Sequence, residues 1–124
     1  MNIKDYLHLY LGCEIELEYK GKKIIERLDS INLRTGRIDT KTFVDFDFDV
    51  KPILRPLSDM TEEERRQWLD FRLNSRIEPE RSFQLSEAMR TKFLLSKYFD
   101  LFGLIEAGLA IDATIKAEQI KIFQ

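Results

Sequence analysis

The stretch KPILRPLSDMTEEE, residues 51–64, divides the chain into a part that reads as strand and a part that reads as helix. Pro52 and Pro56 lack an amide hydrogen and fix φ, so a strand arriving from Asp49 ends here or continues only as an edge. Beyond Pro56, Ser58 and Asp59 favour a turn. Thr61 and Glu64 have the Ser/Thr-x-x-Glu spacing of a capping box, which satisfies backbone N–H groups that a first helical turn leaves unpaired. Glu62 and Glu63 add negative charge at the positive end of the helix dipole, worth about 0.3–1 kcal/mol each. Residues 51–60 are therefore a pivot between a β-rich part, residues 1–50, and a helical part, residues 61–112.

Working back from the pivot, Phe43 to Val50 alternates, with Val44, Phe46, Phe48 and Val50 assigned to the core face and Asp45, Asp47 and Asp49 to the wet face. Cys13, Ile15, Leu17 and Tyr19 alternate in the same way with Glu14, Glu16 and Glu18. Lys20-Gly21-Lys22 and Thr35-Gly36 are turns. Between them residues 23–33 form a second strand, bulged in places, with Ile24, Ile25, Leu28, Ile31 and Leu33 as its apolar content. Ahead of these, Asn2 caps a short helix with Ile3, Tyr6, Leu7 and Tyr10 on one side and Gly12 at its end. Strands joined by short turns predict an antiparallel meander of three or four strands, or a small SH3-like open barrel.

Forward of the pivot, residues 61–75 form a helix carrying Trp68, Leu69, Phe71 and Leu73. Asn74, Ser75 and Pro79 break it. Ser82 or Ser86 caps a further helix running to about residue 102, whose apolar face includes Leu85, Ala88, Met89, Phe93, Leu95, Tyr98, Phe99 and Phe102. A face that wide requires burial against more than one neighbour. Gly103 and Gly108 bracket an apolar turn, and residues 113–124 are a tail with Ile120 and Ile122 at strand spacing. The whole reads as a single α+β domain: a short N-terminal helix, the β-meander, and two helices packed on it.

Bulk composition narrows the functional classes. The 124 residues are 44% apolar and include nine Phe, four Tyr and one Trp, enough for a real core. Twenty basic residues against 22 acidic ones give a net charge of −2, without the basic field that sequence-independent nucleic-acid binding requires. The single cysteine, Cys13, precludes an internal disulfide and a multi-cysteine zinc site. The N-terminus does not resemble a secretory signal. Residues 93–111 are long enough to span a bilayer, but Lys97, Asp100 and Glu106 disfavour insertion by about 2.5–3.5 kcal/mol each near a helix centre. A cytoplasmic protein with no membrane partner and no cofactor is the expectation.

Two constellations carry potential chemistry. Asp45, Asp47 and Asp49 lie on one strand face, and hard carboxylate oxygens suit Mg²⁺ or Ca²⁺. Their D-x-D-x-D spacing begins like a calcium loop, but Val50 stands where that loop needs Gly and Pro56 where it needs Glu. Carboxylates alternating along a strand also sit about 7 Å apart, too far to share an ion unaided. The second is an arginine series. Arg65, Arg72 and Arg76 recur at spacings of seven and four on one helix face, where guanidinium forks suit phosphate and Trp68 could stack on a base. Glutamates and aspartates in the same stretch favour an ion-paired outer face instead. His8 is the sole histidine, and five residues later Cys13 turns inward as a buried thiol. Neither GxxxxGK[ST] nor GxGxxG occurs.

Three stretches taken together, YLHLYLGCEIE at residues 6–16, KPILRPLSDMTEEE at 51–64 and FLLSKYFDLFGLIEAGLAID at 93–112, resemble a family of small uncharacterised proteins encoded in phages and prophages of gut bacteria. They cover somewhat under half the chain. The resemblance implies a bacterial or phage-infected cytoplasmic setting and transfers no activity, ligand or catalytic residue. The leading expectation is a non-enzymatic interaction or structural module that binds another protein or itself. A nucleic-acid-binding accessory protein using Arg65, Trp68, Arg72 and Arg76 comes second, and a metal-dependent enzyme using Asp45, Asp47 and Asp49 third.

Overall fold

The computed structural model describes residues 2–47, 49–70 and 79–115. The architecture is α+β. Strand β1 (Glu14–Tyr19) pairs antiparallel with β2 (Lys22–Arg27), which turns back on it through Lys20 and Gly21. Both turn residues have positive φ, 51° and 77°, the backbone a two-residue hairpin needs to match strand twist. β3 (Ser30–Ile31) and β4 (Ile38–Asp39) form a separate two-stranded sheet, closed by the Asn32 side chain accepting the amides of Arg34 and Thr35 at 3.0 and 3.2 Å. β5 (Val50–Leu54) then lies on the free side of β1, and β6 (Ile111–Asp112) pairs parallel with its far end.

The main sheet is therefore open and mixed, in the order β2-β1-β5-β6, rather than a meander in sequence order. The β3–β4 hairpin folds aside and frees the edge of β1 for β5. A parallel partner needs a long crossover, and the helical part of the chain supplies it.

Pro52 does not end its strand. It is fully buried and paired opposite Ile15 at the last position β5 shares with β1, whereas pairing with β6 begins at Ile53. Each half of β5 is thus paired on one side, and the missing amide interrupts no continuous ladder. The alternation expected through Phe43 to Val50 holds only in part. Phe46 and Val50 are buried, but Val44 is 77% exposed. Asp45 adopts φ +53°, which breaks the extended backbone and turns Val44 away from the face of Phe46. Phe48 lies outside the described residues. Leu33 is likewise exposed, in the turn between β3 and β4.

The N-terminal segment forms two 3-10 turns, Ile3–Asp5 and Leu7–Tyr10, in place of one α-helix. Asn2 caps the first by accepting the Lys4 amide at 3.0 Å. So short a helix gains little from α-type bonding alone, and the 3-10 spacing brings Leu7 and Tyr10 to the same side, both fully buried.

Helix α1 (Glu62–Asp70) begins at the expected capping box: Glu64 Oε1 accepts the Thr61 amide at 3.0 Å and Thr61 Oγ1 accepts the Glu64 amide at 3.1 Å. Residues 71–75 of the expected helix are outside the described residues. Helix α2 runs Pro79–Ser96, earlier at both ends than residues 82–102. Proline is accommodated at its start because a first-turn N–H would go unpaired anyway. At its other end Tyr98 takes φ +62° and the Phe99 amide reaches back to the Leu94 carbonyl at 3.0 Å, so Phe99 leaves the helix and bridges Arg55.

The core gathers Leu7, Tyr10, Cys13, Ile15, Leu17, Leu28, Val50, Leu54 and Leu104, with Leu95 and Tyr98 from the end of α2 packed against it. Among the described residues α1 adds none. It is held instead by Arg55 at its start and by Trp68, whose ring faces the Arg90 guanidinium on α2 at 5.0 Å. No helix among the described residues is long and apolar enough to cross a membrane. Residues 116–124, including the expected tail strand, are outside the described residues.

Candidate functional site

Once Leu7 and Tyr10 turn into the core, the opposite side of their 3-10 turn presents His8, Leu9 and Leu11. The last turns of α2 face them. Ala88, Thr91 and Leu95 recur at spacings of three and four and so form one stripe of the helix. Between turn and helix runs an open groove of about 800 Å³. Its floor is apolar; its polar groups include Glu87, Thr91, Lys92 and Ser96 from α2 and His8 from the N-terminal turn. Leu11 is 48% exposed within it, and Met89 on α2 is 45% exposed. Tyr98 closes one end, packed so near Gly12 that a Cβ there would stand 2.8 Å from the Tyr98 hydroxyl. Gly12 also has φ +91°, so side chains are disfavoured at this position twice over.

Two ties fix the groove walls. The Tyr10 hydroxyl donates to the Phe99 carbonyl at 2.7 Å and accepts from the Leu101 amide at 3.3 Å, joining the N-terminal turn to the segment after α2. Burial pushes the Tyr10 phenol up to about 12, so it remains a donor at neutral pH. The second tie is Arg55. Its amide donates to the Tyr98 carbonyl at 2.8 Å and its own carbonyl accepts from Asp100 at 2.9 Å. Its guanidinium lies 4.3 Å over the Phe99 ring, grips Glu64 through both carboxylate oxygens at 2.7 and 2.8 Å, and reaches the Asp59 carboxylate at 3.0 Å. These bonds raise the Arg55 pKa and draw the Glu64 carboxyl down to about 2. One residue thus joins the end of β5, the start of α1 and the exit of α2.

The structure does not bring the sequence-predicted carboxylates to one point. Asp45 faces Arg37 at 3.3 Å, Asp47 is paired with Lys4, and Asp49 sits on a separate cleft beside Lys51. The Lys4 hydrogen bond holds the Asp47 carboxyl below its ordinary value, as the Asp45 amide does for Asp39. Among the described residues no group of three or more His, Cys, Asp or Glu side chains is placed to hold a metal ion.

Of the arginine series, Arg65 is exposed on α1, and Arg72 and Arg76 lie outside the described residues. Trp68 is only partly exposed and already has Arg90 against its ring. Cys13 is buried at 1% exposure and its thiol is pushed up to about 12 by that burial, which leaves negligible thiolate at neutral pH. His8 lies in the groove. The groove itself escaped sequence reading, because it joins two elements far apart in the chain. The excess width of the apolar face around Ala88, Leu95 and Tyr98 was its one trace. No family model matches this chain, and no curated protein or solved structure matches it either.

Proposed function

We propose that the protein is an interaction module that seats an apolar segment of another protein in the groove between Leu11 and α2. The observation that carries this reading is a groove with an apolar floor and exposed Leu11, held by the buried Tyr10 hydroxyl bond and the part-buried Arg55 tie. A preformed surface of this kind loses little freedom when a partner binds. From Ala88 to Leu95 the groove follows α2 for about 10 Å, which suits roughly two turns of a partner helix. Lys92 on its rim favours a carboxylate beside the partner's apolar stripe. The setting proposed with it, a bacterial or phage-infected cytoplasm, rests on the sequence resemblance alone.

Ala88→Arg tests the reading by filling the groove with a charged side chain from an exposed position. Tagged wild type and variant are used to capture proteins from nuclease-treated lysate of a phage-bearing bacterium, and their thermal midpoints are compared. Proteins retained by wild type and lost by a fully folded Ala88→Arg support the groove. Identical capture by both excludes it as the binding surface. Light scattering of the purified chain separates self-association, which would appear as a dimer that Ala88→Arg dissociates.

A further inference from the structure

A second cleft, about 370 Å³, lies between the Leu57–Asp59 turn and α1. Leu57, Met60, Trp68 and Leu94 make its walls apolar, Ser58 contributes a hydroxyl, and Arg65 is the one charged residue among its described lining. Behind Trp68 sits Arg90, one helical turn before Leu94. Arg90 is 9% exposed, yet its described hydrogen bonding is a single contact from Nη1 to Glu87 at 3.2 Å, and that carboxylate is itself 53% exposed. Among the described residues, Arg90 Nε and Nη2 and Trp68 Nε1 are buried without a partner.

Unpartnered buried donors are rare, and those of an arginine carry a full charge that cannot be neutralised by losing a proton. All three orphans are donors, gathered in one guanidinium–indole contact of 5.0 Å. The group that satisfies them must accept hydrogen bonds, and a negative one also offsets the guanidinium charge that the half-exposed Glu87 carboxylate only partly meets. A carboxylate does both and matches the guanidinium fork. The cleft shares Trp68 with this contact, and it is apolar with Arg65 as its charged residue, so a carboxylate on an apolar body fits it. We propose that this cleft binds an anion of that class, a carboxylate on an apolar body, with Arg90 and Trp68 Nε1 as its inner donors and Arg65 at the mouth.

None of the three donors is open to water, so entry requires the indole to shift. Trp68 is the sole tryptophan of the chain, and its emission therefore reports the event directly. The full chain is titrated at constant ionic strength with sodium octanoate, with octanamide as the neutral isostere, and with inorganic phosphate. Octanoate is expected to change Trp68 emission saturably, with octanamide weaker by about tenfold or more, the scale of one charge-assisted contact. Arg90→Met raises the octanoate midpoint by about tenfold and Arg65→Gln by about threefold. No response to octanoate, an equal response to octanamide, an unchanged midpoint in both variants, or phosphate binding as tightly as octanoate each overturns the proposal. Should Arg90→Met fail to fold, Arg65→Gln and the octanoate–octanamide comparison still decide it, because Arg65 is exposed.

Discussion

Replacing Glu64 with Gln takes one charge out of the Arg55 clamp while nearly preserving shape. In the folded protein the guanidinium holds the Glu64 carboxyl at about 2, against an ordinary value of 4.5. At about 1.4 kcal/mol per pKa unit the displacement is worth at most roughly 3–4 kcal/mol. The Glu64 side chain is 14% exposed and Arg55 25%, so solvent screening brings the expected loss to about 2 kcal/mol. For a domain of this size that lowers the thermal midpoint by about 8 °C at pH 7.

The pH dependence has a definite sign. Since the folded-state value is the lower one, the contribution is complete above pH 4.5, shrinks as the pH falls, and is gone near pH 2. Circular-dichroism melts of wild type and Glu64→Gln from pH 7 to pH 3 should therefore converge on the acid side. Arg55→Met should cost more, about 3 kcal/mol, because it also strands the Asp59 and Glu64 carboxylates and removes the cation from the Phe99 ring. The double variant should fall short of the summed losses by about 1.5 kcal/mol. A gap between wild type and Glu64→Gln below about 2 °C at pH 7, or one that stays constant down to pH 3, would refute the clamp as a source of stability.

Tyr10→Phe leaves the Phe99 carbonyl without its buried donor and should cost about 1–3 kcal/mol in chemical denaturation, whereas a loss under about 0.5 kcal/mol would show that the hydroxyl tie is dispensable. Cys13 should resist a thiol reagent at pH 8 in the native protein and react at once in denaturant, given its 1% exposure and a thiol pushed up to about 12; native labelling at the denatured rate would contradict its burial. Val44→Asp should change stability by less than about 0.5 kcal/mol while Phe46→Asp unfolds the domain, and equal sensitivity at both positions would restore an unbroken strand there.

Local chemistry was the readable part of this fold. Thr61 and Glu64 announce a helix start because a capping box is complete within four residues, and Cys13, Ile15 and Leu17 announce a buried face because strand period is local. What depends on distant partners was hidden. Nothing local marks Arg55 in the sequence as a hub, and only folding brings Asp59, Glu64 and Phe99 around it. β6 is two residues long and gains its pairing across the helical crossover, so no periodicity marks it. The Val44 error has another source: apolar-polar alternation predicts a strand, but Asp45 at φ +53° spends its backbone on a turn. Neither the groove nor the Arg90–Trp68 contact can be seen without the tertiary fold.

The groove assignment is tested most directly by placing a photoreactive residue at position 88 and, in a second protein, at position 25 on β2, which is exposed but does not line the groove. Both proteins are irradiated in nuclease-treated lysate of a phage-bearing bacterium. A discrete adduct from position 88 that is absent from position 25, and that disappears when Leu11→Glu is added to a still-folded chain, is the predicted result. Adducts from position 25 alone, or an adduct at position 88 indifferent to Leu11→Glu, would contradict the groove as the surface through which this protein works.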